Sequence, residues 1–163
     1  MYINTKFSSP NYPLRTSKIE YIILHYTEIP LQDALARLTD IKSEVSVHYL
    51  IKEDGKVLQL VDDYKIAWHA GKSSWKNFTQ LNHHSLGIEI DNSGTAEFSA
   101  IQMQSCIELC SYLVNKHNIN PANVIGHSDI APDRKIDPGI FFDWQLLANQ
   151  GLGCWHNLTP TVF

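Results

Sequence analysis

The run Ile19-Glu20-Tyr21-Ile22-Ile23-Leu24-His25 is the part of the 163-residue chain that most directly indicates its fold. It is rich in β-branched and aromatic residues, which favour extended structure. Its apolar residues are continuous rather than alternating, and this is typical of a strand that is buried on both faces of a sheet. The run therefore predicts a central strand that ends in a histidine and has other elements packed on both sides.

The remaining elements follow from the same periodicities. Strands are predicted at residues 45–51, 57–61, 85–90 and 123–126, the first two joined as a hairpin; helices are predicted after Pro30, over 99–117 and around Trp144–Asn149. Cys106 and Cys110 share a helix face, where small buried hydrophobes are the favoured interpretation and a catalytic or disulfide role the alternative. The pattern predicts an α/β (α+β) fold: one mixed sheet flanked by helices, forming a single domain over residues 1–163, with residues 1–18 as an N-terminal surface segment.

The composition is that of an ordinary globular protein, and it restricts the classes of function. Hydrophobic residues make up 44% of the chain and charged residues 18%, and the formal net charge is −4. No cluster of lysine and arginine is present to follow a phosphate backbone, so nucleic acid is not expected as a partner. No run reaches the ~18 apolar residues of a membrane span, and the N-terminus lacks the apolar core of a signal peptide. We expect a monomer that is cytoplasmic unless a leader has been removed.

A second informative stretch follows the last predicted strand: Gly126-His127-Ser128-Asp129-Ile130-Ala131-Pro132-Asp133-Arg134-Lys135-Ile136-Asp137-Pro138-Gly139. Its prolines make it too irregular for one helix or strand, so it can fold His127 and Asp137 back onto one point with Lys135 beside them. Catalytic zinc takes three N, O or S protein ligands and leaves a fourth position for water. His25, at the end of the first strand, is the obvious third donor. One Zn²⁺ per chain is therefore predicted at one rim of the sheet.

Hydrolysis at such a site needs a base for the water and a group that stabilises the oxyanion. Glu89 is the best candidate for the base, because a carboxylate is unusual within an apolar strand. Lys135, two residues before Asp137, is the natural partner of the oxyanion. Together these residues predict metal-assisted hydrolysis of an amide or ester.

Each candidate taken alone also has a structural interpretation. The alternatives are a structural histidine at position 25, a capping or salt-bridge network of His127 and Asp137 with Arg134, an edge residue or core ion pair at position 89, and a solvated lysine at position 135. The presence of every group that zinc hydrolysis requires favours the site over these separate alternatives.

Two further segments predict a cleft. Ala67-Trp68-His69-Ala70-Gly71 places an indole and an imidazole in a turn with small neighbours, which is typical of a wall against a sugar or peptide. The alternative is a tryptophan that fills the core beneath a loop. His48 stands in an apolar strand; a hydrogen-bonded core histidine is the favoured interpretation there, and substrate binding is the alternative. We include Trp68, His69 and His48 as candidate substrate-binding residues.

The chain resembles the zinc-dependent type-2 N-acetylmuramoyl-L-alanine amidases, whose fold is shared with phage amidase-type lysozymes and peptidoglycan recognition proteins. The resemblance runs from about Ile19 to Trp155. It rests on five motifs in family order: Ile-Leu-His-Tyr-Thr at 23–27, Val-Ser-Val-His-Tyr-Leu-Ile at 45–51, Ala-Trp-His-Ala-Gly at 67–71, Ser-Leu-Gly-Ile-Glu-Ile at 85–90 and the loop 126–139. Residues 31–40 and 143–148 are most similar to the branch that includes envelope lipoprotein amidases.

The resemblance implies hydrolysis of the amide between the lactyl group of N-acetylmuramic acid, intact or anhydro, and the L-alanine of the stem peptide. It implies His25, His127 and Asp137 as zinc ligands, Glu89 as the catalytic carboxylate and Lys135 as the group that stabilises the tetrahedral intermediate. Trp68 and His69 match the family's substrate-cleft motif. Muropeptides are the implied partners.

Relatives in the lipoprotein branch often carry a C-terminal wall-binding module and a lipidated N-terminus, and the sequence shows neither. We therefore expect a bacterial protein that prefers soluble muropeptides, located in the periplasm or cell envelope if a leader was removed and otherwise in the cytoplasm. The main rival is a non-catalytic domain that binds peptidoglycan fragments, which typically lacks one zinc ligand. A zinc hydrolase for another amide is the second rival.

Overall fold

The computed structural model describes residues 1–156. Its strands are β1 (Ile3–Asn4), β2 (Tyr21–Tyr26), β3 (Tyr49–Ile51), β4 (Val57–Gln59), β5 (Ser74–Trp75), β6 (Phe78–Thr79), β7 (Ser85–Ile90) and β8 (Val124–Gly126). Its α-helices are α1 (Leu31–Thr39), α2 (Ala100–His117), α3 (His127–Ile130) and α4 (Trp144–Asn149). Among residues 1–156 there is no helix with the length and apolarity needed to span a bilayer.

Six of the strands form one mixed sheet in the order β1–β4–β3–β7–β2–β8. The β3–β4 hairpin is antiparallel, and the other neighbours are parallel. The helices pack against this sheet, while β5 and β6 form a separate small hairpin. The prediction of one mixed sheet flanked by helices is confirmed.

The central strand β2 is buried on both faces, as its continuous apolar run predicts. Ile22 and Leu24 belong to the core under α2, and Tyr21 and Ile23 to the core on the opposite face. Ile22, Ile23 and Leu24 are fully buried. Cys106 and Cys110, both free and buried, lie within the α2 core, which agrees with their interpretation as small buried hydrophobes.

Strand β7 divides its side chains between the same two faces. Leu86, Ile88 and Ile90 join the core under α2. Because successive residues of a strand point to opposite faces, Ser85, Gly87 and Glu89 lie on the other face. The alternation thus explains why a carboxylate occurs in an apolar run, since Glu89 belongs to a different surface from its neighbours.

Two segments differ from their predicted structure. The strand predicted at 45–51 pairs with its neighbours only over Tyr49–Ile51. Before that, the Ser46 amide donates to the Trp68 carbonyl at 3.1 Å, so this backbone is satisfied by a loop rather than by a ladder. Residues 1–18, which were expected to form a surface segment, are mostly exposed and also contribute the edge strand β1.

Candidate active site

Two neighbouring parallel strands place two of the predicted ligands side by side. Leu24 of β2 is the register partner of Gly126 of β8, so His25 and His127 leave the sheet together. The two Nδ1 atoms lie 2.9 Å apart, and Asp137 Oδ2 lies 2.9 Å from that of His25 and 3.0 Å from that of His127. All three side chains are buried. The structure therefore brings together the three residues predicted as ligands.

The loop after β8 returns to the two histidines because its two ends pack closely together. A Cβ on Gly126 would lie 2.8 Å from Cδ of Pro138, so a larger residue would push the two segments apart. The Ser128 amide donates to the Asp137 carbonyl at 2.9 Å, which joins the start of α3 to the returning chain. Asp137 is thus held beside His127, although the two lie ten positions apart.

The protonation of His127 follows from its second nitrogen. Nε2 lies 3.1 Å from the Ala70 carbonyl oxygen, which can only accept a hydrogen bond. Nε2 therefore carries the proton. In the neutral ring Nδ1 is then bare, and its lone pair points toward His25 and Asp137.

A chain of hydrogen bonds determines the tautomer of His25 in the same way. The Ser85 hydroxyl donates to the Leu81 carbonyl at 2.6 Å, so its oxygen accepts from His69 Nε2 at 3.2 Å. Burial, followed by the charges of neighbouring histidines, holds the pKa of His69 well below its usual value, so the ring is neutral and its Nδ1 is bare. That atom accepts from His25 Nε2 at 3.0 Å. Burial lowers the pKa of His25 to about 4, so His25 is neutral with a bare Nδ1.

Two imidazole lone pairs and a carboxylate oxygen thus converge without a proton between them. Burial opposes ionisation of Asp137, but its close contacts with His127 and His25 outweigh burial and hold its pKa below the usual range. Three acceptor atoms in such contact repel one another unless a cation lies among them. The donor set of two nitrogens and one oxygen fits a divalent metal ion with a further coordination position.

Glu89 lies next to this group, on β7 opposite His25 in the register of the two strands. Its Oε2 atom is buried and has no hydrogen-bond partner among the described residues. Burial raises the pKa of Glu89 well above its usual value, and the charge of Asp137 adds to the effect, while Lys135 and Arg37 oppose it. An unpartnered buried carboxylate is costly, and such groups are concentrated at functional sites.

The metal-ligand group and Glu89 line a cavity of about 410 Å³, a size typical of small-molecule sites. Lys135 is half-buried at its wall, and Trp68, 36% exposed, forms another part of the lining. Lys135, Trp68 and His69 thus lie around one opening. Besides lining the cavity, His69 accepts the hydrogen bond from His25.

His48 lies outside the cavity lining. It is fully buried, its Nδ1 accepts from the Gly87 amide at 3.0 Å, and its Nε2 donates to the Lys65 carbonyl at 3.1 Å. Burial, and then the charge of Arg15, lowers the pKa of His48 to about 3. These contacts match the core-histidine interpretation rather than the alternative of substrate binding.

Three residues with a part in this site were not predicted: Ser85, Gly87 and Arg37. A Cβ on Gly87 would lie 2.5 Å from Cγ of His69, so this glycine makes room for the ring. Because successive residues of a strand alternate between faces, Ser85 and Gly87 lie on the face of Glu89. This alternation is the sequence pattern from which both residues could have been predicted. Arg37 lines the cavity from α1, where no sequence pattern distinguishes it from a solvated arginine.

Comparisons with known proteins identify the family to which the sequence is similar. The profile of the N-acetylmuramoyl-L-alanine amidase family matches residues 15–140. N-acetylmuramoyl-L-alanine amidase AmiD of Escherichia coli K12 is 42% identical over 154 residues, which cover 85% of this chain and 55% of AmiD. The 1,6-anhydro-N-acetylmuramyl-L-alanine amidase AmpD of Citrobacter freundii is 40% identical over 100 residues, which cover 61% of this chain and 54% of AmpD. The chain thus spans about half the length of these curated relatives.

A solved structure of Escherichia coli AmiD has the same fold. That protein is in complex with the substrate anhydro-N-acetylmuramic acid-L-Ala-D-gamma-Glu-L-Lys. It superposes with a TM-score of 0.80 at 38% sequence identity, over 88% of this chain and 62% of the AmiD chain.

Proposed function

The chain belongs to the N-acetylmuramoyl-L-alanine amidase family, and we propose that it is a zinc-dependent amidase of muropeptides. The bond hydrolysed is the amide between N-acetylmuramic acid, intact or anhydro, and the L-alanine of the stem peptide. One observation carries the proposal: the bare Nδ1 atoms of His25 and His127 and the Asp137 carboxylate converge beside the unpartnered oxygen of Glu89. AmiD and AmpD, whose names describe this activity, support it.

The roles of the side chains follow from their positions. His25, His127 and Asp137 would hold the zinc ion, which would supply a nucleophile from water near neutral pH and polarise the carbonyl of the substrate. Glu89, whose raised pKa makes it a better proton acceptor, takes the proton of the attacking water and returns it to the leaving nitrogen of L-alanine. Lys135 stabilises the oxyanion as the carbonyl becomes tetrahedral. The products are the lactyl carboxylate of the sugar and a free amine on the peptide.

The cavity also supplies the contacts proposed for the substrate. Trp68 offers an indole face to a sugar ring or peptide. The main role of His69 is to orient His25 through their hydrogen bond. All of these groups come from one chain, which supports action as a monomer. We place the protein in a bacterial envelope or cytoplasm, where peptidoglycan fragments occur, and infer a single catalytic domain.

Mass spectrometry of a muropeptide digest tests the function. The protein is incubated with intact and anhydro muropeptides untreated, after chelation, and after resupply of zinc. Release of stem peptide and amino sugar that chelation abolishes and zinc restores is the expected result. Glu89→Gln should bind zinc normally and turn over about 10²- to 10⁴-fold more slowly, because only proton transfer is lost. His127→Ala should lose zinc and activity together.

The rival function is binding of muropeptides without cleavage. If muropeptides bind and remain intact under every condition, the chain is a recognition domain and its metal site is structural. If Glu89→Gln retains near-normal turnover, another group is the base.

A further inference from the structure

Arg37 is a cation of the cavity that the proposed mechanism does not use. It lies in the last turn of α1 and lines the cavity together with Ala34 and Leu38 of the same helix. Positions three and four apart share a helix face, so these three residues form one wall. Ala34 and Leu38 are buried beneath it, while Arg37 is exposed at the opening.

The guanidinium of Arg37 has no hydrogen bond or ion pair with any residue in the range 1–156. The side chains of the other two arginines of the chain, Arg15 and Arg134, donate hydrogen bonds to backbone carbonyl oxygens. Arg15 donates to carbonyl oxygens that include those of Lys65 and Ser85, at 2.9 and 2.8 Å, and Arg134 donates to that of Lys72 at 3.0 Å. Arg37 therefore keeps its donors available to a ligand.

Arg37 lies in the same cavity as the proposed catalytic residues. It lines this cavity together with Glu89 and Lys135, and the charges of Lys135 and Arg37 both act to lower the pKa of Glu89. A favourable interaction with the C-terminal end of α1 is the ordinary explanation for an arginine in this turn. That explanation requires no side chain directed along the cavity wall, and it predicts no effect on a ligand.

The substrate class of the proposed function contains a matching group. Its amino sugars are uncharged, and the lactyl carboxyl is consumed in the scissile amide, so its negative charges lie in the stem peptide. In the peptide bound to AmiD the glutamate is linked through its γ-carboxyl. This linkage leaves the α-carboxylate free, one residue beyond the scissile bond. A guanidinium is the side chain best suited to pair with a carboxylate through two hydrogen bonds.

We propose that Arg37 forms a carboxylate subsite for the free α-carboxylate of the γ-linked glutamate in the stem peptide. The subsite rests on the proposed function and adds a specificity to it: peptides whose glutamate carries a free α-carboxylate are bound better than those in which it is amidated to isoglutamine.

A matched pair of ligands tests the subsite. Each is an anhydromuramyl tripeptide in which a methylene replaces the scissile carbonyl, so neither is hydrolysed; one carries γ-linked glutamate and the other isoglutamine. Calorimetry with the zinc-loaded protein should give about tenfold tighter binding of the glutamate ligand, because a charged pair replaces a neutral hydrogen bond. Arg37→Ala should bind both ligands equally, and no more tightly than the unchanged protein binds the amide. Arg37→Lys should keep part of the preference.

Lys42→Ala is the control, since it removes one positive charge from an exposed position just after α1 and outside the cavity lining. It should retain the full preference. The subsite is overturned if Arg37→Ala still prefers the glutamate ligand, if Lys42→Ala loses the preference equally, or if the unchanged protein binds the two ligands alike or neither of them.

Hydrolysis of the corresponding natural muropeptides separates this result from the proposed function. Cleavage of both peptides with no preference in binding would leave the amidase in place and remove the subsite. A preference for the glutamate ligand that depends on Arg37, without cleavage of either peptide, would support the subsite in a domain that only binds.

Discussion

A single proton on the Ser85 hydroxyl determines how His25 presents its nitrogens. Because that proton is donated to Leu81, the chain through His69 leaves Nε2 of His25 protonated and Nδ1 bare. Hydrogen bonds of this kind fix the tautomer and orientation of a metal-binding imidazole. His69 is therefore a positioning residue for the metal site, in addition to its place in the cavity lining.

Removal of this support should weaken metal binding. We expect His69→Ala to reduce zinc affinity about 10- to 100-fold, measured by competition with a chromophoric chelator, because His25 loses the acceptor of its Nε2 proton. His69→Gln, whose carbonyl can accept the same proton, should restore part of the affinity.

The control for this prediction is His83→Ala, which removes an exposed imidazole two residues before Ser85. Its zinc affinity should be unchanged. Equal affinities for His69→Ala and His83→Ala would show that the hydrogen bond to His25 has no part in metal binding.

Gly87 shows a steric requirement at the same place. A Cβ there would lie 2.5 Å from the His69 ring, so Gly87→Ala should lower the free energy of unfolding by about 1–3 kcal/mol and weaken zinc binding. Urea denaturation and chelator competition measure the two effects. In the double variant Gly87→Ala/His69→Ala the new methyl has space, so the alanine at 87 should cost much less stability. Additive costs would contradict a contact between the two residues.

Among the secondary-structure elements, helix α2 shows what local sequence patterns can predict and what they cannot. Its range, Ala100–His117, matches the prediction of 99–117, and Ser99 is the N-cap in a capping box with Gln102. The core beneath it follows from helical periodicity. Its C-terminal end is different, because Lys116 and His117 donate to the buried carboxylate of Asp63 at 2.7 Å, a contact between distant segments that no local pattern indicates.

Asp63 should therefore contribute stability that depends on pH. Burial opposes its ionisation, but hydrogen bonds from Lys116, Tyr49 and His117 outweigh burial, and its pKa is lowered. A depressed carboxyl pKa stabilises the fold above the unfolded value near 4, and this contribution is lost as pH falls through the folded value. Asp63→Asn should reduce the free energy of unfolding by about 2 kcal/mol at pH 7.

Urea denaturation at several pH values measures this effect. The difference between Asp63→Asn and the unchanged protein should shrink below about pH 4, where the native carboxyl begins to be protonated. Asp133→Asn, at an exposed position, should change stability little at any pH. A difference at Asp63 that is constant with pH would show that its charge is not the stabilising group.

Strand β3 marks the limit of element prediction. The apolar run 45–51 has strand periodicity throughout, yet only Tyr49–Ile51 pair in the sheet. The amide of Ser46 instead donates to the carbonyl of Trp68 in a loop. Periodicity records which side chains are buried, and it does not record which segment satisfies the backbone.

At the scale of the whole molecule, the proposed metal site joins segments that are far apart in the chain. His25 and His127 are 102 positions apart, so their nitrogens meet only in the folded state. Zinc that binds the folded state alone stabilises it by mass action. At a free concentration about 100 times the dissociation constant, zinc should raise the melting temperature of the protein by about 5–10 °C.

Calorimetric melting with zinc and with chelator tests this coupling. His127→Ala is the matched variant and should show no shift with zinc. An equal shift in both proteins would mean that zinc stabilises the fold from somewhere other than the three proposed ligands.

The class of fold, most of the elements around the site and the residue types that converge there, including His25, Glu89 and Asp137, could be predicted from the amino-acid sequence. Periodicity and residue chemistry are local properties, so they can be read within short windows. Which atoms face one another became evident from the folded chain: Nδ1 of His25 is the bare nitrogen, His48 is a core residue and Arg37 lines the cavity. Such contacts depend on how distant segments pack, down to the space left by Gly87, and no window of sequence contains that information.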